Sequence, residues 1–180
     1  MIGLLIISSA LGSVGLASAA AAWQAEGSIP PFHHAFPVHD LSLAKNFYGN
    51  VLGLTEGRSS ARWQDYSLAG HQIVCHLVNS DYSCPDFYNP VDGDEVPVPH
   101  FGLAMTVDNF HAFASRLRDH GVKFIIEPHL RFHGQPGEQW TMFFKDPSGN
   151  NLEFKAMTKP NNLFVKYNVV ETDEGAKPEL

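Results

Sequence analysis

Three of the ten histidines in this chain fall in one stretch, PFHHAFPVHD at residues 31–40, which otherwise reads as a strand. Side chains alternate between the two faces of a strand, so His33, Ala35, Pro37 and His39 share one side and His34, Phe36 and Val38 the other. The run HFGLAMTV splits likewise, with His100, Gly102, Ala104 and Thr106 against Phe101, Leu103, Met105 and Val107. In both runs the large apolar side suits packing on a helix, and the small side, with a histidine at its start, suits lining a concavity. Two later runs add to the small side: Gln72, Val74 and His76 in HQIVCHLV, and Asn151, Glu153 and Lys155 in NLEFKAM. Three imidazoles and a carboxylate, His33, His76, His100 and Glu153, are thereby expected at equivalent places. Nitrogen and oxygen donors of this kind hold Fe(II), Mn, Ni or Zn, and a cation offsets the cost of burying Glu153. A lone strand histidine is more often a hydrogen-bonded core or surface residue than a ligand; the repeated placement is what favours ligation. His34 points to the helix side and His39 sits at the strand end beside Asp40, so both read as structural.

The elements that must position these groups recur along the chain. The first strand leads to Asp40 and LSLAKNFYGNVLG, where Leu43, Phe47, Val51 and Leu54 fall at helical spacing; the second leads to Asp108 and a helix with Phe110, Phe113 and Leu117. Asp40 to Gly53 and Asp108 to Gly121 are each thirteen residues, which places an N-cap and a left-handed C-terminal turn at matching points. Strand-like runs follow each helix: RWQDYSLAG and HQIVCHLV, then KFIIEP, WTMFFKD and NLEFKAM. The expected architecture is α+β, with two βαβββ modules forming a paired half-barrel. The modules are expected over about residues 30–92 and 97–158 of a domain spanning 30–158, with VDGDEVPVP (91–99) as the linker.

At 180 residues, 44% hydrophobic and 17% charged, the chain is long enough for one well-buried core. A net charge of −7 without a run of Lys or Arg argues against nucleic acid and against attachment to anionic lipid; a small molecule is the expected partner. Cys75 and Cys84 cannot make a disulfide framework. Residues 1–29 form an apolar segment and linker, and residues 1–24 resemble a signal peptide without its basic start, with an Ala17-Ser18-Ala19 cleavage pattern. Its Ala, Gly and Ser content favours cleavage, or a start codon placed too far upstream, over a stable anchor. Residues 159–180 lose periodicity and read as a C-terminal surface tail.

The runs HHAFPVHDLSLAKNFYGNVLGL, PHFGLAMTVDNFHAFASRLRDHGV and FFKDPSGNNLEF resemble the vicinal oxygen chelate superfamily, which includes glyoxalase I, methylmalonyl-CoA epimerase, bleomycin and fosfomycin resistance proteins and extradiol dioxygenases. The resemblance covers about residues 31–157, and the spelling is most similar to members described as predicted extradiol dioxygenases, whose core resembles cytoplasmic enzymes. It implies a divalent metal, Fe(II) before Mn, Zn or Ni, with His33, His100 and Glu153 as ligands and His76 as a fourth ligand or an acid/base group. His100 lies one residue farther from Asp108 than His33 from Asp40, so the match expects a β-bulge, without which Gly102 would take the ligand position. The dioxygenase reading makes a 2-His-1-carboxylate face that opens toward a catechol-like aromatic and O2, with His76, Tyr66 and His133 as catalytic candidates and His129 as a further donor. The loop HLRFHGQPGEQW (129–140), with Arg131, Glu138 and Gln139, is expected to close over the opening. Ala35, Gly102 and Ala104 leave room for a substrate, and Phe87, Tyr88 and Trp140 offer rings to stack on it.

Two other classes stay open. A glyoxalase- or epimerase-type isomerase or lyase would use all four groups as ligands, and a metal-free resistance protein would bind its ligand in a homodimer groove. Both the homodimer and the side of it that supplies each ligand are open at this stage. No Ser or Cys sits in a recognisable nucleophile elbow.

Overall fold

Asp40 shows how the chain turns from strand to helix: its carboxylate accepts from the backbone N–H groups of Ser42 and Leu43 at 2.6 and 3.0 Å, satisfying donors that a helix start leaves bare. The structure, a computed structural model, describes residues 30–169. The leader expected at residues 1–24 lies outside the described residues, as does the 170–180 part of the tail.

The first module runs β1 (His33–Val38), α1 (Leu41–Lys45), a wider π-helical stretch (Asn46–Val51), β2 (Thr55–Ser59), β3 (Trp63–Leu68) and β4 (His71–Leu77). The second runs β7 (His100–Ala104), α2 (Val107–Asp119), β8 (Phe124–Arg131), β9 (Gln139–Lys145) and β10 (Asn151–Met157). Each forms a four-stranded sheet, in the orders β1-β4-β3-β2 and β7-β10-β9-β8, with the first and last strands parallel and the others antiparallel. This is the expected pair of βαβββ half-barrels.

Three local expectations change. The helix after Asp40 widens after Lys45, so Ala44, Phe47, Tyr48 and Leu52 turn inward and Leu43 stays exposed. The second helix is capped by Thr106, whose Oγ1 accepts from the Asn109 N–H at 3.3 Å, and Asp108 lies in the first turn instead, where its charge suits the helix dipole. The segment read as a linker folds as a hairpin, β5 (Phe87–Val91) and β6 (Asp94–Val98), turned at Asp92-Gly93 with φ of 51° and 82°. Two left-handed central residues favour Asp-Gly, so the signal stood in VDGDEV.

One apolar core unites the modules: Phe36, Val38, Tyr48, Tyr66 and Cys75 from the first are continuous with Phe110, Leu117, Met142, Phe144 and Phe154 from the second. The DPSGN turn locks this join. Buried Asp146 accepts from the Tyr48 hydroxyl (2.9 Å), the Ser148 and Asn150 backbone N–H groups and the Asn150 side-chain amide (each 2.8 Å). Asn150 also donates to the Pro37 carbonyl at 2.9 Å, and the His39 N–H donates to Ser148 Oγ at 3.0 Å. Burial raises the Asp146 carboxyl from its ordinary range, and the bonds from Asn150, Tyr48 and Ser148 oppose that rise. Tyr48→Phe removes one of these donors while keeping the ring; it is expected to cost about 1–3 kcal/mol in urea unfolding, and an unchanged midpoint would show that the turn holds without it.

Candidate metal centre

Register assigns each inner-face residue a neighbour. In the second sheet His100 pairs with Asn151, Gly102 with Glu153 and Ala104 with Lys155. In the first, His33 pairs with Gln72, Ala35 with Val74 and Pro37 with His76. The counterpart of Glu153 is therefore Val74, and His76 matches Lys155. This corrects the fourfold equivalence expected from alternation: parity gave His76 the right face but the wrong rung. It lies four residues from Gln72 along β4, about 13 Å at strand rise, and is exposed beside Pro37 and Trp63.

The β-bulge expected at His100 is not needed. β7 pairs with β10 in regular register from His100 to Ala104, and the helix cap is Thr106, two residues before Asp108, so the longer spacing to Asp108 calls for no bulge. Gly102 is required for another reason: a Cβ there would lie 1.7 Å from the Glu153 carbonyl oxygen, so only glycine allows this approach.

His100 and Glu153 do come together. His100 Nε2 lies 3.3 Å from Glu153 Oε2, and His100 Nδ1 is 2.7 Å from the Pro97 carbonyl. A carbonyl only accepts, so Nδ1 carries a proton. Nε2 and Oε2 then face each other as two acceptors unless a cation stands between them: a proton, giving imidazolium, or a metal ion. Thr141 Oγ1 donates to Glu153 Oε1 at 2.9 Å, and Lys155 Nζ lies 3.1 Å from Oε2. Burial favours the neutral carboxyl, but the bonds and charges of His100, Lys155 and Thr141 outweigh it and hold Glu153 at about 2. The bond to Glu153 raises His100 above the ordinary imidazole value, helped by Pro97 and opposed by burial.

The hairpin completes this environment. Val91 and Val96 pack on Ile126 and Phe143, and Phe143 is the β9 partner of Glu153. Asp94 holds His129 at 3.0 Å and Arg131 at 3.4 Å, Arg131 Nη2 donates to the Val91 carbonyl at 2.6 Å, and the Phe132 N–H donates to Asp92. His129, Arg131 and Gln139 thus belong to strands β8 and β9, and the expected closing loop shrinks to a turn over 132–138 carrying exposed His133. Glu138 in that turn accepts from the Gly134 N–H.

Tyr66 is not brought to the inner face. It is buried on the helix side near Tyr48, its hydroxyl has no partner, and burial pushes its phenol far above the usual value. Trp140 is likewise taken up by Phe110 and His111 of α2, whereas Phe87 and Tyr88 stay exposed on the hairpin.

His33 lies on the other sheet, 2.7 Å from Gln72 Oε1, and Gln72 Nε2 donates to Asp65 at 2.8 Å. A seam cavity of about 210 Å³, lined by Ala35, Phe36, Pro37, Phe101 and Asn150 among others, opens beside His100. Among the described residues no three His, Cys, Asp or Glu side chains gather to hold a metal within one chain. His100 and Glu153 nonetheless fit two adjoining ligand positions, because each has its second polar atom fixed by a neighbour, as ligating side chains require. Alternation missed Thr141, Pro97 and Asp65; the detectable signal was Asp65, a residue type depleted in strands.

The paired charges set a pH dependence in metal-free protein. Glu153 is depressed from 4.5 to about 2, so its stabilisation is present above pH 4.5 and lost as pH falls toward 2. His100 is raised above 6.5, so its contribution is present below pH 6.5 and lost as pH climbs through the raised value. Urea unfolding of chelator-treated protein is expected to lose about 3 kcal/mol from Glu153 across the acid window. Glu153→Gln should flatten that limb, and an unchanged acid limb would contradict the pairing.

The glyoxalase/bleomycin resistance protein/dioxygenase superfamily model matches residues 31–154. A glyoxalase/bleomycin resistance protein/dioxygenase from Alicyclobacillus acidocaldarius is 29% identical, with a TM-score of 0.64 over 74% of this chain and 96% of that chain. The fosfomycin resistance protein FosX from Listeria monocytogenes shares the fold at 17% identity and a TM-score of 0.53, covering 76% of this chain and 98% of its own. A virulence protein from Salmonella typhimurium does so at 20% identity and 0.50, covering 71% and 95%. No curated protein matches. Two βαβββ half-barrels with paired parallel edges, matched by the family model over most of the chain, place this protein in the glyoxalase/bleomycin resistance protein/dioxygenase superfamily.

Proposed function

We propose that this chain is a metal-dependent enzyme acting on a small molecule, of the extradiol dioxygenase type, with His100 and Glu153 as a fixed ligand pair and His33 as the third donor. Members of the superfamily typically use divalent metals and bind small molecules. The observation that carries the reading is the 3.3 Å approach of His100 Nε2 to Glu153 Oε2, with Pro97 and Thr141 fixing their outer atoms. Since among the described residues no third donor joins the pair within one chain, we assign it to His33 of a second copy, the two half-barrels facing across a homodimer.

Fe(II) in this set would lower the pKa of a catechol hydroxyl and leave positions for both substrate oxygens and O2. The chain's own residues do the rest. Phe36 and Phe101 wall the seam cavity beside His100 and suit a flat ring. Lys155, already 3.1 Å from Glu153, offers its ammonium to a substrate oxyanion. His76 would have to reach the substrate from the far rung of β4, and exposed His133 from the 132–138 turn.

Lys155 also supports a second reading. An ammonium on Glu153 Oε2 gives that carboxylate a cation of its own, as suits a metal-free small-molecule binding protein.

The test is metal content after anaerobic purification without a metal-binding tag, followed by oxygen uptake with a panel of catechols. About one Fe or Mn per chain, lost in Glu153→Ala, together with catechol-dependent uptake is expected. Mixing inactive His33→Ala with inactive Glu153→Ala should restore part of the uptake, since one site in the mixed dimer is intact. Zn or Ni without uptake would point to isomerase or lyase chemistry, and no metal would leave the binding protein.

A further inference from the structure

We propose that Gln72 and Asp65 are positioning residues for His33, holding it with its proton on Nδ1 and its Nε2 free as a metal donor. The donor role rests on the function proposed above; the proton placement stands on geometry alone. Asp65 lies on β3 with only 5% of its surface exposed, on the inner face shared with His33. Its Oδ2 accepts from Gln72 Nε2 at 2.8 Å and from Arg58 Nε at 3.1 Å, and Arg58 Nη2 forms an ion pair with it at 3.1 Å.

Direction follows from which groups are able to donate. A carboxylate beside a guanidinium only accepts, so the Gln72 amide must turn its NH2 toward Asp65 and its oxygen toward His33. That oxygen, 2.7 Å from His33 Nδ1, also only accepts, so the proton of a neutral His33 ring resides on Nδ1 and the lone pair on Nε2. Arg58 anchors the sequence of bonds at its far end. Burying a carboxylate in a strand interior is unfavourable unless it is paired, and here the pairing orients an exposed imidazole two strands away.

His33 and His100 thereby reach the same state by different routes. His100 gives its Nδ1 proton to the main-chain oxygen of Pro97, whereas His33 gives its own to a side-chain relay. Because Val74 stands where the second sheet has Glu153, the first sheet brings its carboxylate in from β3 as a partner of the histidine.

The experiment is nitrogen NMR of the imidazoles in the intact chain, with His33 assigned by its loss in His33→Gln, alongside Co(II) titration. Wild-type His33 is expected as the Nδ1–H form, a reading made on the wild-type protein. Gln72→Met should move the population several-fold toward Nε2–H and weaken Co(II) binding about 10-fold. A wild-type ring protonated on Nε2, a Gln72→Met spectrum like that of wild type, or a changed tautomer with unchanged Co(II) affinity would each overturn the proposal. If Glu153→Ala keeps full Co(II) affinity, the metal reading itself fails, while the tautomer result continues to report on the relay.

Discussion

The buried carboxylate of Asp146 is the constraint on which the rest depends. Four donors converge on it, one of them the Tyr48 hydroxyl from the other module. The turn it organises ends where β10 begins, and β10 carries Asn151, Glu153 and Lys155 on its inner face. Through Asn150 and Ser148 the same turn also holds the end of β1. A shift of one residue in this turn would reverse the parity of β10, sending Glu153 into the core and Phe154 to the inner face. The position of the candidate ligand is thus fixed by a structural carboxylate seven residues away.

The two modules solve the same packing problem and then diverge in chemistry. Both pair their first and last strands in parallel and both bury a large apolar face under a helix. On the inner face the second module puts its carboxylate on β10, directly against His100. The first puts Val74 at that rung and its carboxylate on β3, linked to His33 through Gln72. One half therefore supplies a histidine and an acid as a pair, and the other a single oriented histidine. The proposed 2-His-1-carboxylate set would draw on this asymmetry, which offers no equivalent place for a fourth protein ligand at His76.

Alternation made the inner and outer faces legible, because a strand's period of two leaves little choice once one face is apolar. Repetition of the strand, cap, helix and glycine pattern made the double module legible. Absolute register was not, since parity cannot distinguish Val74 from His76 when both lie on the correct face; that depends on which residues of β1 and β4 exchange backbone hydrogen bonds. The π-helical widening that exposes Leu43 was hidden because Ala44, Phe47 and Tyr48 are as apolar as the expected stripe. The hairpin was legible in principle from Asp92-Gly93; its strands carry Pro90 and Pro97, which are tolerated there because a two-stranded ribbon consists of edges.

Cation balance decides how this site would work. Glu153 Oε2 has the Lys155 ammonium as one neighbour and His100 as the other, a second cation when the ring is protonated, a state its bond to Glu153 favours. His100 and Glu153 would hold a metal only with the facing histidine nitrogen unprotonated, so metal affinity would rise with pH through the raised histidine value. Lys155, 3.1 Å from Oε2, would then be freed from that carboxylate, and under the proposed function its ammonium would be offered to an anionic substrate oxygen. The hairpin enters the same balance, because the Pro97 carbonyl fixes which nitrogen of His100 faces Glu153. A segment whose sequence reads as a connector therefore fixes the tautomer of the candidate ligand His100, and the contacts of Asp92 and Asp94 with β8 and the turn after it hold that connector in place.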